Sequence, residues 1–188
     1  MIIIANWHSQ CKSANLVYRL LNLSYTVGMS RYILMSIQTR YAEKIFRGEK
    51  RWEFRKSLPR HSKDDELTVV VYSSGGDRAV IGEFRVGRVM RCPLDELMRL
   101  TGYDTDEQAV QWFSRYYAGR KQCGALEILA SVRYDQPISL SQLRQVLPAF
   151  RPPQNFRYIW PDSDLAAQLS EMSAICPDIL SKLSKPRH

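Results

Sequence analysis

The residues best equipped for chemistry are Lys50, Glu53 and Arg55, in the run Gly48-Glu-Lys50-Arg-Trp-Glu53-Phe-Arg55. On a strand, side chains alternate between faces, so Trp52 and Phe54 share one face while Arg51, Glu53 and Arg55 share the other. The aromatic face is expected to enter the core and the charged face to stay out of it. Lys50 would be a point charge for phosphate, and Arg55 a planar fork suited to a phosphate or a base edge. Glu53 can hold that fork or accept from an exocyclic amine. Such a trio suits a nucleotide. The competing reading is a plain ion pair between Glu53 and Arg55 on a solvated face, which is worth little. Gly48 permits positive φ after a helix, which brings Lys50 out at the mouth of the domain rather than inside it.

Those side chains need elements to carry them. Tyr32–Ile37 reads as a buried strand and Arg40–Arg47 as a short helix ended by Gly48, with the strand Lys50–Arg55 following at once. Leu67–Ser73 and Val80–Val89 are two more strands, joined through the Gly75-Gly76-Asp77 turn in a meander. Pro93–Leu100 and Asp106–Tyr117 have helical spacing, and the second carries Trp112, Phe113, Tyr116 and Tyr117. A late strand, Gly124–Tyr134, precedes a brief helix that Ser139 or Ser141 can cap. Pro148–Tyr158 is an aromatic, proline-rich loop or short strand, and helices over Asp162–Met172 and Asp178–Leu183 are separated by Pro177. This pattern predicts an α+β fold: a small, partly open β-barrel of five to six strands with inserted and flanking helices.

Charge points the same way. With 27 Lys and Arg against 19 Asp and Glu, the 188-residue chain carries a formal +8 and favours polyanionic partners. Between Met29 and Arg60 stand nine basic residues (Arg31, Arg40, Lys44, Arg47, Lys50, Arg51, Arg55, Lys56 and Arg60) against Glu43, Glu49 and Glu53. Aromatic rings for base stacking are on offer at Tyr41, Trp112, Tyr116, Phe156 and Tyr158. Cys11, Cys92, Cys123 and Cys176 form no C-x-x-C pair, and His8, His61 and His188 have no ligand-like spacing, so neither metal nor cofactor is expected. Buried thiols suit a reducing cytoplasm. The apolar stretches near Met1 and at Leu16–Leu23 lack the flanking charge of a signal peptide and the length of a membrane span. Residues 1–28 are therefore read as an extension, 29–160 as the domain and 161–188 as a C-terminal helical segment.

The run from Gly48 to Arg55 matches the G-x-K-x-x-E-x-R signature of ASCH domains, a branch of the PUA-like superfamily, and Tyr41-Ala-Glu-Lys-Ile-Phe46 fills the helix that family places before it. The resemblance continues in order through Ile81-Gly-Glu-Phe84, Tyr117-Ala-Gly119-Arg120 and Pro152-Pro-Gln-Asn-Phe-Arg-Tyr158, covering about Tyr32 to Tyr158. It implies a PUA-like barrel that binds RNA or a nucleotide, with DNA as a further possibility and a regulatory role in transcription or translation. The expected contact set is Lys50, Glu53, Arg55, Lys44, Arg40, Tyr41, Arg120, Trp112, Phe156 and Tyr158, with Trp112 or Tyr158 as a wall. One departure is visible: the first strand ends Ser36-Ile-Gln38-Thr39 where the family usually has Ser-Ile-Lys-Pro, which removes a lysine.

Two other classes compete. Some small proteins with this signature act as amidohydrolases on acylated cytidine through G-x-K-T-x-T-x-R, and Glu53 here occupies the place of their nucleophilic threonine, removing the hydroxyl. Lys50 and Glu53 would still be the catalytic pair of a hydrolase on nucleosides or RNA, ribonuclease activity included. A coregulator module that receives a peptide is the other class. Helix-turn-helix reading of DNA has no basic helix pair to support it.

Overall fold

Two apolar runs set the centre of the sheet. β1 (Arg31–Gln38) buries Ile33, Leu34, Met35 and Ile37, and β3 (Leu67–Ser74) buries Leu67 together with the consecutive residues Val69 to Tyr72. Continuous burial rather than alternation is the mark of strands covered on both faces. These two pair in parallel, with Ile33 opposite Val69 and Met35 opposite Val71. This computed structural model describes residues 31–60, 66–160 and 162–173, so the expected extension 1–28 and the helix Asp178–Leu183 lie outside the described residues.

The chain continues through α1 (Thr39–Phe46), β2 (Trp52–Arg55) and β3, then β4 (Ala79–Cys92), α2 (Leu94–Thr101) and α3 (Glu107–Tyr116). It closes with β5 (Cys123–Ser139), α4 (Leu140–Val146), β6 (Phe156–Ile159) and α5 (Asp164–Ser173). The six strands form one curled half-barrel in the order β2-β5-β4-β3-β1-β6. The meander is real over β3, β4 and β5, but β1 enters parallel beside β3 and β2 lies across the sheet on the free edge of β5. Two strands adjacent in sequence are thus brought to opposite parts of the sheet, and α1 makes the crossing.

β5 runs on to Ser139, beyond the Tyr134 limit expected from sequence. Its ladder with β4 shifts register between Val80 and Gly82, between Arg85 and Val86, and between Val86 and Val89. Bulges bend a strand and increase its twist, so they let a seventeen-residue strand follow the curl. Pro137 falls in an interrupted stretch, between the pairs Ile138–Val80 and Arg133–Gly82, where no ladder amide is required. Ser139 is the cap of α4: its hydroxyl accepts from the Gln142 N–H at 3.2 Å while the Gln142 side chain accepts from the Ser139 N–H at 2.9 Å.

Apolar side chains fill three spaces. The barrel interior holds Ile33, Met35, Ile37, Val69, Val71, Ile81, Phe84 and Leu126, with Ala42 and Ile45 of α1 closing one end. Outside the sheet, Leu34, Val70, Val80, Leu143 and Leu165 pack under α4 and α5. A third cluster places Trp52, Leu97, Met98, Phe113, Tyr117 and Ala125 between the sheet and the α2–α3 pair. No helix of the described residues is long and apolar enough to cross a membrane.

Candidate functional site

The end of α1 decides where Lys50 goes. The Glu49 N–H donates to the Lys44 carbonyl at 2.9 Å and the Gly48 N–H to the Ile45 carbonyl at 3.0 Å, with Gly48 at φ 75°. This is a Schellman C-cap, which needs a left-handed residue at that point. The Lys50 N–H also donates to the Lys44 carbonyl, at 3.1 Å, so the chain folds back and the Lys50 ammonium lies 5.5 Å from the centre of the Tyr41 ring.

The β2–β5 register then sorts the faces. Glu53 stands opposite Leu126, an interior residue, whereas Trp52 stands opposite Glu127 and Phe54 opposite Ala125. Parity separates Trp52 and Phe54 from Glu53 and Arg55 as expected, and the rings do enter a core. Two points are corrected: the Glu53 face is covered as well, and Arg51, which precedes the first ladder pair, leaves that face to reach Glu127 and lie over Trp52 on the outer side. Trp52 and Phe54 face outward into the cluster under α2 and α3, and the ionic face turns into the barrel mouth, leaving Glu53 only 4% exposed. The physical reason is that both faces of this sheet are covered, and the concave face at this end meets polar groups. Glu53 Oε1 accepts from Arg55 Nε at 2.9 Å, and Oε2 accepts from Lys50 Nζ. Arg55 also donates to the Ser36 carbonyl at 2.7 Å and to Asn155 Oδ1 at 3.2 Å.

Arg55 consequently has a second task. β2 and β6 are the two edges of the sheet, and side chains join them. Asn155, just before β6, donates to the Ser57 carbonyl at 3.3 Å and its own carbonyl accepts from the Ser36 N–H, so it stitches the segment after β2 to β1 and β6. The Tyr158 hydroxyl accepts from the Arg60 N–H at 2.7 Å, further along the same seam.

Above the trio opens a cleft of about 690 Å³. Arg40, Tyr41 and Lys44 of α1 form one wall, and Phe54, Tyr103, Trp112, Phe113 and Tyr116 the other. Trp112 and Tyr116 stack nearly parallel, 12° apart with centroids at 5.0 Å, and Trp112 is 47% exposed. Lys56 lies 5.1 Å over the Tyr116 ring, and Arg40 lies 4.7 Å over Tyr41. Burial holds the Lys50 ammonium below its ordinary range; the Glu53 carboxylate opposes that shift, and the neighbouring Arg55 and Lys44 add to it. Gln38, standing where the family has lysine, lines the cleft and accepts from Arg40 Nε at 3.2 Å.

Lys50, Glu53, Arg55, Lys44, Arg40, Tyr41 and Trp112 therefore come together on one concave surface. Three residues grouped with them from sequence do not. In the β1–β6 register Phe156 stands opposite Met35 and Tyr158 opposite Ile33, so both rings take the interior parity and pack at the seam. Arg120 is exposed in the turn beyond α3, after Gly119 at φ 76°. Tyr103 and Asn155 were not singled out from sequence; each sits one residue outside a helix cap or a strand, where no periodic signal marks it. Among the described residues, no three His, Cys, Asp or Glu side chains gather as a metal site.

A second ionic cluster lies on the outer face. Glu127, 6% exposed, accepts from Arg88 Nε at 2.8 Å and Arg51 Nη2 at 3.0 Å. The bonds from Arg88, and then those from Arg51, hold its carboxyl down at about 2 against an ordinary 4.5. A carboxylate with a depressed folded pKa stabilises the fold above its ordinary value and loses that contribution as pH falls. Urea midpoints measured across pH are expected to fall between about 4.5 and about 2, and Glu127→Gln is expected to flatten that part of the curve.

The six-stranded curled half-barrel with inserted helices is the α+β architecture of solved ASCH structures and is consistent with the PUA-like superfamily. Within it, the ASCH domain model matches residues 35–128, and the chain belongs to the ASCH domain family. Among solved structures, the ASCH protein of Zymomonas mobilis is similar at 21% identity and a TM-score of 0.62, over 75% of this chain and 94% of that one. A mutant form of the same protein gives 21% identity and a TM-score of 0.63, over 75% and 95%. A search of curated proteins finds no match.

Proposed function

We propose that this ASCH domain is an RNA-binding module that holds one unpaired nucleotide in the cleft. The observation that carries this reading is the Lys50–Glu53–Arg55 trio, with Glu53 buried and both cations partly so, at the floor of a cleft whose one wall is cationic and whose other is a parallel pair of rings. Family membership supports RNA binding at the level of the family, and the volume lies within the range of about 300–1,000 Å³ usual for small-ligand sites. Trp112 and Tyr116 offer a flat surface for a base, Lys50, Lys44 and Arg40 meet its phosphate, and Glu53 keeps Lys50 and Arg55 in place.

The test is a Trp112→Ala variant in an RNA-binding titration. Loss of a stacking surface is expected to weaken binding by about 1–3 kcal/mol. Because Trp112 is half exposed, the variant should melt close to the parent, and an unchanged affinity would remove the wall assignment.

One observation favours hydrolysis as a second reading. A lysine held below its ordinary range beside a carboxylate, and open to a cleft, is equipped for proton transfer. Incubation with acylated nucleosides and labelled RNA separates the two readings: turnover that vanishes in Lys50→Met supports catalysis, and turnover that survives excludes Lys50 from it.

A further inference from the structure

The cleft does not end at its cationic wall. Glu49 and Tyr103 line both it and a neighbouring groove of about 490 Å³, whose other sides include Arg51, Arg88 and Arg99. Two of these guanidinium groups are held in place by Glu127. Arg88 meets it through Nε at 2.8 Å, Nη2 at 3.2 Å and its backbone N–H at 3.3 Å, and Arg51 through Nη2 at 3.0 Å. Both also lie over the Trp52 ring, at 5.1 Å for Arg88 and 6.0 Å for Arg51.

The backbone is arranged for this. The β4–β5 ladder shifts between Val86 and Val89, and a methyl at Gly87 would stand 2.8 Å from Leu129 and 3.1 Å from Glu127 Oε2. Bulges re-aim side chains, and this one sends Arg88 onto the carboxylate. Arg51 and Arg88 nonetheless remain 71% and 58% exposed at the side chain, so their other N–H groups face the groove. Arg99, in the last turn of α2, is exposed beside them.

We infer that this arginine groove holds the phosphate adjoining the nucleotide in the cleft, so that the ligand is a single-stranded RNA of at least two nucleotides rather than a free nucleotide. The inference rests on the reading of the cleft given above. Continuity through Glu49 and Tyr103 supplies the path, and the charge comes from three arginines set against two carboxylates, Glu127, committed to Arg51 and Arg88, and Glu49, paired with Arg47 at 3.1 Å. A single strand is specified because a base can enter the cleft only when unpaired.

Arg99→Glu and Arg51→Ala change exposed side chains and leave the bidentate Arg88–Glu127 pair intact. Fluorescence anisotropy is measured with labelled mononucleotides and with mixed-sequence single-stranded RNA over a salt series. Each variant is expected to weaken binding of the longer strands by about tenfold and to lower the salt slope by about one, with mononucleotide affinity unchanged. Equal weakening for mononucleotide and strand overturns the groove as a separate subsite. Unchanged strand binding in both variants, with loss in Trp112→Ala, overturns the groove and leaves the cleft standing. Parent protein that binds no strand overturns both.

Discussion

Glu53→Ala is expected to destabilise the domain by about 3–5 kcal/mol, the usual cost of removing one member of a buried ionic cluster. For a chain of this size that corresponds to a drop in the melting midpoint on the order of 10 °C. The reason is geometric. Glu53 is the common partner of Lys50 and Arg55, whose side chains are 15% and 13% exposed. Without it, two cations share the floor of the cleft with no carboxylate between them, and each repels the other. The seam should loosen as well, since Arg55 must keep its orientation to reach Ser36 and Asn155. Glu53→Gln keeps the shape and one acceptor, so its loss should be smaller. Thermal melts of the two variants decide the matter: equal, small shifts would mean that water replaces the carboxylate and that the trio does not organise the mouth.

The second large effect is expected at Gly82→Ala. A methyl there would lie 2.3 Å from the Val132 carbonyl and 2.7 Å from the Phe46 ring. The carbonyl belongs to β5, the strand paired with β4, so it cannot retreat without breaking the ladder. Ordinary overpacking costs about 1–3 kcal/mol, and a backbone obstacle places this substitution at the upper end or beyond. Phe46 is the last residue of α1, so the displacement also tilts the helix that carries Arg40, Tyr41 and Lys44. RNA affinity should therefore fall along with stability. Gly76→Ala, where the methyl meets Thr39 only at ordinary contact distance, provides a near-neutral comparison. A Gly82→Ala protein as stable as Gly76→Ala would show that the bulge relaxes freely.

Much of this architecture can be read from residue order. Apolar runs mark β1 and β3, Gly48 marks the end of α1, and the Ser139/Ser141 pair marks the start of α4, because each of these signals is local. The direction of the β2 faces was not legible. Period two divides Trp52 and Phe54 from Glu53 and Arg55, yet on a sheet packed on both sides it does not say which set turns inward; the Leu126 pairing decides that, and it lies 73 residues away from Glu53. The parallel β1–β3 pair and the placement of β2 on β5 are long-range facts of the same kind. Composition drew Phe156 and Tyr158 toward the ligand as exposed stackers, whereas the register with Ile33 and Met35 turns them to the seam. The family signature named Lys50, Glu53 and Arg55, which line one cleft, but it carried no information about Tyr103, which reaches the cleft only because α2 ends at Gly102.

A guanidinium anchored on Glu53, Asn155 and Ser36 has its plane already committed, and this limits how the mouth can grip an anion. The planar two-pronged geometry that usually makes arginine selective is turned toward the protein itself. What faces a guest are the ammonium groups of Lys44 and Lys50, which are monopoles without a preferred approach angle, and Arg40 at the rim. Such a mouth grips by field more than by template. Background electrolyte, rather than the orientation of an incoming phosphate, should then be its main tuning variable.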